Sequence, residues 1–390
     1  PRGFIGAGVD EPNAQVQLYS GDKTEPNAIA TTVELVEGLV ASSQNCWPSV
    51  SFDFGAINNF LSKFFPAGFY YKTFMWPKSF WYKIYEPIIR KAAGLGVAPL
   101  KPDPDRYEHK FEYCDILIAG SGPSGLASAL ASAKSGARVI LAEDKPRFGG
   151  SLLIDDVTIG NKKGNDWVDE TIAQLKSMPN VILKNRSQVF GYYDHNMMVM
   201  IERTKDHIEK PNKFRPRQRL WYIRAKEVII STGSIERPLV FGNNDRPGIM
   251  LASAAKEYMK VYGVLVGKKP IIFTNNDSGY DTAIDFKKNG INPLVLDIRQ
   301  NSENSIVKEA KNLNINIKFS YGIINANGYK KVNSATIGKL NSDKSGYDNV
   351  ENINCDCICV SGNWTPTVHL SSQSGNKLKF DDGINAFVPN

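Results

Sequence analysis

The chain has 390 residues, of which 42% are hydrophobic and 22% charged. Those proportions exclude collagen-like, coiled-coil and intrinsically disordered chains, and the length suits two to four domains at roughly 100–200 residues each. Lys and Arg outnumber Asp and Glu by 47 to 40, a net charge of +7, which is too dilute for a nucleic-acid-binding surface. The one dense basic stretch, residues 210–219 (KPNKFRPRQR), reads as a solvated turn or a subunit contact. Five cysteines, an odd number, argue against a disulfide framework and for a reducing compartment, so a cytoplasmic location is expected. No apolar run approaches the roughly 20 residues that span a bilayer, so no membrane partner is expected. The chain opens Pro1-Arg2-Gly3 and stops at Asn390 just after an apolar stretch, and is expected to be a piece of a longer protein.

In chain order, residues 14–19 and 31–35 are short β-like pieces among Gly, Pro and Asn turns, and predict a small β-rich module over residues 1–50. Residues 64–85 hold eleven aromatics in 22 positions against 11% for the whole chain. Pro66, Pro77 and Pro87 interrupt any long helix there. A packing strap that joins domains or meets a partner subunit is predicted, ahead of a ligand-stacking surface. A linker, residues 99–110 (PLKPDPDRYEHK), completes a strap-and-linker region over residues 51–112.

From Tyr113 strands and helices alternate. Residues 114–119 (CDILIA) and 137–142 (ARVILA) read as buried parallel strands on either side of an Ala-rich helix at 123–135. Between them stands Gly120-Ser121-Gly122-Pro123-Ser124-Gly125, a G-x-G-x-x-G turn that follows a strand and opens a helix, with Glu143 ending the next strand. That context makes it a dinucleotide fingerprint. Gly120 serves the tight turn, Gly122 the approach of a pyrophosphate, and Gly125 the packing of helix on strand. The free N–H groups of the helix start then favour phosphate. Glu143 is expected to accept hydrogen bonds from ribose hydroxyls and to repel a 2′-phosphate, which favours FAD or NAD over NADP. Asp144 is either a second ribose contact or a solvated neighbour.

Gly149-Gly150-Ser151 and the strand end Ser231-Thr232-Gly233, added to the fingerprint, resemble the two-dinucleotide-binding flavoprotein superfamily of the disulfide-reductase type. The resemblance implies that the paired glycines approach the cofactor, that Thr232 and Gly233 close its domain, and that the backbone of Val189 lies near the adenine. It also implies a β-hairpin between these motifs, for which residues 181–183, 188–193, 197–202 and 220–224 are suitable. The fold class expected is α/β: a Rossmann-like FAD/NAD(P)-binding domain of the disulfide-reductase type with a second, inserted Rossmann-like domain, preceded by a small β-rich, ferredoxin-like module. The first domain is assigned to residues 113–244 and 345–390, the second to 245–344.

The second domain has the rhythm of strand 270–273, helix 278–289 and strand 293–296, but its turn reads Thr274-Asn275-Asn276-Asp277-Ser278-Gly279. Asn side chains obstruct a pyrophosphate, so this domain is predicted to be structural and empty. No C-x-x-C pair is present to reduce disulfides. Cys355, Cys357 and Cys359 are read as one face of a strand and as small buried hydrophobes, not a metal site. His109, His195, His207 and His369 have no ligand or triad spacing. His195 is given a local hydrogen-bonding role in a hairpin turn, and no catalytic residue is identified.

Further stretches sharpen the resemblance: Pro1-Arg2-Gly3 with residues 7–13 (AGVDEPN), Ser43-Gln44-Asn45 with Trp47-Pro48, residues 65–77 (FPAGFYYKTFMWP), 189–195 (VFGYYDH), Glu236-Arg237-Pro238, 244–248 (NDRPG) and 361–364 (SGNW). They resemble the α subunits of the heterotetrameric sarcosine oxidase family, along essentially all 390 residues. The resemblance implies a ferredoxin-like module without cluster cysteines, in keeping with the lone Cys46, and a folate-binding domain beyond Asn390. It implies β, γ and δ partner subunits, with sarcosine oxidised at a flavin (FAD) of the β subunit. FMN is shared between α and β, and electrons pass to oxygen to give hydrogen peroxide. Tetrahydrofolate in the further domain turns the product into glycine and methylenetetrahydrofolate, or formaldehyde forms without it. NAD, held without turnover, is implied for the α subunit's own site. The alternatives are the α subunit of a related amine dehydrogenase complex (proline or opine dehydrogenase, hydrogen cyanide synthase), a non-catalytic nucleotide-binding scaffold, and an NADH-dependent flavin reductase, which Asn275 and Asn276 disfavour.

Overall fold

The computed structural model describes residues 3–20, 23–44, 46–57, 74 and 76–390, and these form two compact units. The smaller unit, Asn13–Asp105, contains a three-stranded antiparallel sheet in the order Lys23–Ile29, Gln15–Ser20, Val40–Ser43. The strand expected at 31–35 is absent. Ala30–Thr32 is a 3-10 turn, and the pairing partner is Lys23–Ile29 instead. Pro26 is tolerated there because this is an edge strand, where a missing N–H costs no ladder bond. The module's interior is partly polar: the amide of buried Gln17 donates to the Val97 carbonyl (3.4 Å) and accepts from the Val97 N–H (3.2 Å). Of the expected aromatic strap, Phe64, Phe65, Phe69, Tyr70 and Tyr71 lie outside the described residues. Phe74 and Phe80 pack on Tyr85, whose hydroxyl donates to the Trp76 carbonyl, while Trp76 and Tyr82 are exposed.

The larger unit comprises Arg2–Pro12 and Arg106–Asn390. Its first sheet has six strands in the order Val181–Lys184, Val139–Ala142, Tyr107–Ala119, Gln218–Ile230, Met197–Arg203, Ser187–Tyr193. The first four are parallel and the last two antiparallel. Helices Pro123–Lys134 and Gly164–Ser177 cover one face, burying Ile118, Leu126, Leu141, Val168 and Leu175. Two expectations are corrected. The strand placed at 114–119 begins at Tyr107, inside the supposed linker, because residues 107–113 alternate and pair in register with Gln218–Arg224. Residues 220–224 and 228–230 are one continuous strand, since Ala225-Lys226-Glu227 contains no breaker.

The second sheet is wholly parallel, in the order Ile249–Leu251, Cys357–Ser361, Pro270–Thr274, Leu294–Asp297, Asn316–Phe319. Parallel strands need crossovers, and helices Ala252–Tyr262, Ser278–Lys288 and Ser305–Asn312 supply them. An antiparallel meander, Tyr321–Asn327, Ser334–Leu340 and Tyr347–Asn354, precedes the returning strand. The fold is therefore α/β, with two Rossmann-like domains, one inserted in the other, and a small β-rich module. The chain rejoins the first domain later than the expected residue 345. Cys357–Ser361 is still a central strand of the second sheet, and only at Trp364–Pro366 does the chain pair with Ser234–Glu236. Residues 3–12, assigned by sequence to the β-rich module, instead join the second sheet. Ile5 bridges to Met250, Phe4 is buried in that core, and the Glu11 carboxylate holds the turn by accepting from the N–H groups of Ala7 (2.7 Å) and Gly8 (2.8 Å).

Leu141 is fully buried between sheet and helices. Leu141→Ala is expected to destabilise the larger unit by roughly 3 kcal/mol, read as a lowered urea midpoint without loss of secondary structure at zero urea.

Candidate functional site

Gly120, Ser121 and Gly122 join strand Tyr107–Ala119 to helix Pro123–Lys134, and the fingerprint runs on through Pro123, Ser124 and Gly125 in the first helical turn. A Cβ on Gly120 would stand 2.3 Å from the Ser231 carbonyl oxygen, and one on Gly125 would stand 2.0 Å from the Gly120 carbonyl oxygen. Gly120 also has φ +98°, so glycine is required twice over. Gly122 differs: its φ is −64°, and a Cβ there would meet nothing within 4 Å. It marks open space beside the free N–H groups of the helix start, with Pro123 and Ser124 exposed on the first turn.

The second glycine turn closes on the first. Gly149 donates its N–H to the Ser121 hydroxyl and to the Ser121 carbonyl, both at 3.1 Å. A Cβ on Gly150, whose φ is +54°, would fall 2.8 Å from the Gly122 Cα. Ser151 follows at the surface. The third segment is the end of strand Gln218–Ile230. Ser231 N–H donates to the Ala119 carbonyl (2.8 Å), the Thr232 hydroxyl donates to the Thr367 carbonyl (2.9 Å), and the Gly233 carbonyl accepts from the Thr367 N–H (3.0 Å). Three chain segments thus meet around Gly122 and leave a backbone-lined opening at a helix N-terminus, the environment a pyrophosphate requires.

Glu143 is 6% exposed at the end of strand Val139–Ala142. Its Oε2 accepts from the Ser121 N–H (3.0 Å) and hydroxyl (2.5 Å), and its Oε1 accepts from the Lys145 N–H (3.0 Å). Burial, and then the neighbouring Asp144 carboxyl, push the Glu143 carboxyl above the usual range, while Ser121 and Lys145 pull the other way. The Asp144 carbonyl accepts from Arg203 (2.7 Å). Ser187 N–H donates to the Glu143 carbonyl (2.7 Å), which ties the strand carrying Val189 to this end of the site. Sequence reading missed Ser121 and Lys145. The signal for Ser121 is its place between the fingerprint glycines, where a small hydroxyl reaches both Glu143 and Gly149.

The corresponding turn of the second domain is filled by its own side chains. Asn276 donates through its side-chain amide to the Ser361 carbonyl (3.1 Å) and accepts from the Ser278 N–H (2.8 Å). The Trp364 indole N–H donates to the Ser278 hydroxyl (2.9 Å). Asp297, in the place equivalent to Glu143, is gripped by Arg299, which also pairs with Asp277 at 2.8 Å.

Cys355 lies before the strand Cys357–Ser361, not in it, and all three thiols are buried. Burial pushes Cys114 and Cys355 up to about 12, and the bond to Cys357 together with burial raises Cys359 well above the usual thiol range. Among the described residues, no group of three or more His, Cys, Asp or Glu side chains is placed to hold a metal ion. His195 adopts a left-handed turn, and its carbonyl accepts from Arg224 (2.8 Å).

Residues 115–174 match the family described as FAD dependent oxidoreductase, which supports a flavin or dinucleotide cofactor. The sarcosine oxidase alpha subunit of Rhizobium meliloti (strain 1021) is 43% identical over 97% of this chain. The chain is a homologue of sarcosine oxidase α subunits. It spans 37% of that relative's length. An opine oxidase subunit of Agrobacterium tumefaciens (strain Ach5) is 26% identical over 42% of this chain and 33% of its own length. Among solved structures, L-proline dehydrogenase from P. horikoshii aligns with a TM-score of 0.53 at 21% identity, covering 73% of this chain and 48% of that one, a likeness of fold.

The space at Gly122 and the crowding at Gly125 should separate binding from folding. Gly122→Ala is expected to keep thermal stability within about 0.5 kcal/mol of the parent but weaken dinucleotide binding at least tenfold, whereas Gly125→Ala loses both, as read by thermal unfolding and equilibrium dialysis. In the folded protein, iodoacetamide at about pH 8 is expected to leave Cys114, Cys355, Cys357 and Cys359 unlabelled on a timescale that labels them all in urea, measured by peptide mass spectrometry.

Proposed function

We propose that this chain is part of the α subunit of a sarcosine oxidase and works in a complex that oxidatively demethylates sarcosine to glycine. The homology along 97% of the chain carries this reading. The products proposed are hydrogen peroxide with methylenetetrahydrofolate, or with formaldehyde when folate is absent. Sarcosine oxidation is assigned to the FAD of the β subunit, FMN to a position shared by α and β, and tetrahydrofolate to a further part of the α subunit. The γ and δ subunits complete the complex, and the location proposed is cytoplasmic. Among the described residues, no helix is long and apolar enough to cross a membrane.

Within this chain, the role proposed is to hold one dinucleotide, NAD, in the first site. The residues present fit it: Gly122 leaves the space, the helix start supplies N–H donors, the Gly149–Gly150 turn closes on Gly122 without a side chain in the way, and Glu143 supplies an anchored carboxyl for ribose hydroxyls. FAD fits the same atoms. A nicotinamide or flavin ring would supply hydride chemistry when bound. The chain's own work is binding and orientation. The second domain is proposed to hold no dinucleotide, since Asn276, Trp364 and the Asp277–Arg299–Asp297 bridge already satisfy the groups a phosphate and a ribose would use. The match to the opine oxidase subunit favours a second reading, the α subunit of a related amine dehydrogenase complex, on a weaker identity over less of the chain.

Glu143→Lys in the complete complex is expected to release the α-subunit nucleotide, detected by mass spectrometry of the denatured protein. A complex that keeps it would rule out the first site as its holder. Sarcosine-dependent peroxide formation, tested against opines and proline, separates the two enzyme readings.

A further inference from the structure

Helix Ala252–Tyr262 belongs to the second Rossmann-like domain, yet its charged side chains reach into the first. Glu257 pairs with Lys145 at 2.6 Å, Lys256 with Asp155 at 2.8 Å and Lys260 with Asp156 at 2.7 Å, and Lys288 of the next helix also reaches Asp156 at 3.2 Å. Asp155 and Asp156 follow the second glycine turn, and Lys145 follows Glu143 by two residues. These contacts therefore land on the two loops that shape the first site.

The Lys145 contact reaches furthest into it. The Lys145 side chain grips Glu257, its carbonyl accepts from the Arg186 N–H (3.0 Å), and its own N–H donates to Glu143 Oε1 (3.0 Å). The other oxygen of Glu143 is held by Ser121. One oxygen is thus fixed by the fingerprint turn and the other by a residue anchored in the neighbouring domain. Glu257 is only 8% exposed, so the pair is screened less than a surface ion pair. Burial works against the Lys145 ammonium, and the Glu257 carboxylate, helped by Asp144 and Glu11, more than offsets it. Asp144 and Glu11 also face this ammonium.

We infer that Glu257 is a positioning residue for the ribose end of the first site, acting through Lys145 on Glu143, so that the second domain braces the first domain's site. The inference rests on reading that site as a dinucleotide site.

The test uses the complete complex, stripped of nucleotide and titrated with NAD and with FAD separately. Glu257→Gln and Lys145→Gln are each expected to weaken binding of the nucleotide taken up by the parent by roughly tenfold. The double variant should be no worse than either single, because both remove one coupled interaction. The exchanged pair Lys145→Glu with Glu257→Lys should recover part of the loss. Lys318→Gln, in the second domain but paired with Glu351 of that same domain, should bind within about twofold of the parent. Parent-like binding by Glu257→Gln, or additive losses in the double variant, overturns the inference while the first-site reading stands, provided Glu143→Gln has lost affinity. Parent-like binding by Glu143→Gln sinks the first-site reading and the inference with it. If Glu257→Gln fails to fold, the exchanged pair decides: a folded exchanged pair with affinity no better than Lys145→Gln also overturns the inference.

Discussion

Around Gly122 three stretches of backbone come so close that no side chain fits between them. The Gly120 carbonyl lies against Gly125, the Ser231 carbonyl against Gly120, and the Gly122 Cα against Gly150. This close approach fixes where the first helix leaves the sheet, where the second glycine turn docks and where strand Gln218–Ile230 must stop. It also leaves open space at Gly122, where a Cβ would meet nothing within 4 Å, beside the first N–H groups of a helix, which have no partners within the helix. Shape and polarity at the site both follow from that packing.

The two Rossmann-like domains share an architecture but differ in how they hold the same acidic position. Both place an acidic residue at the end of the second strand. Glu143 is held by the peptide N–H groups of Ser121 and Lys145 and the Ser121 hydroxyl, all neutral donors, whereas Asp297 is neutralised by Arg299 and bonded by Tyr280. Neutral donors give the Glu143 carboxyl no counter-charge and leave lone pairs for a ligand hydroxyl, whereas the bidentate guanidinium occupies those of Asp297.

Much of the first domain was legible in sequence, because its constraints are local. Gly125 is forced by the Gly120 carbonyl five residues before it, Gly120 by its own positive φ, and Glu143 sits at a distance set by one helix and one strand. Contacts between distant segments were not legible. Residues 107–112 looked like a linker because charges separate their aromatic residues, and only pairing with Gln218–Ile223 makes them a strand. Phe4 and Ile5 gave two apolar positions, too few to reveal that they join a sheet edge 245 residues away. Lys145 and Glu257 are 112 residues apart, and each alone reads as an ordinary surface charge.

An experimental density map of the purified complex, with its natural nucleotides retained, tests most directly the proposal that one dinucleotide lies in the first domain and none in the second. Density for one adenine dinucleotide is expected in this chain, its pyrophosphate over Gly122 and Gly150 and its ribose at Glu143. Nucleotide density at the Asn275–Asp277 turn, or an empty first site beside a fully active complex, would contradict it.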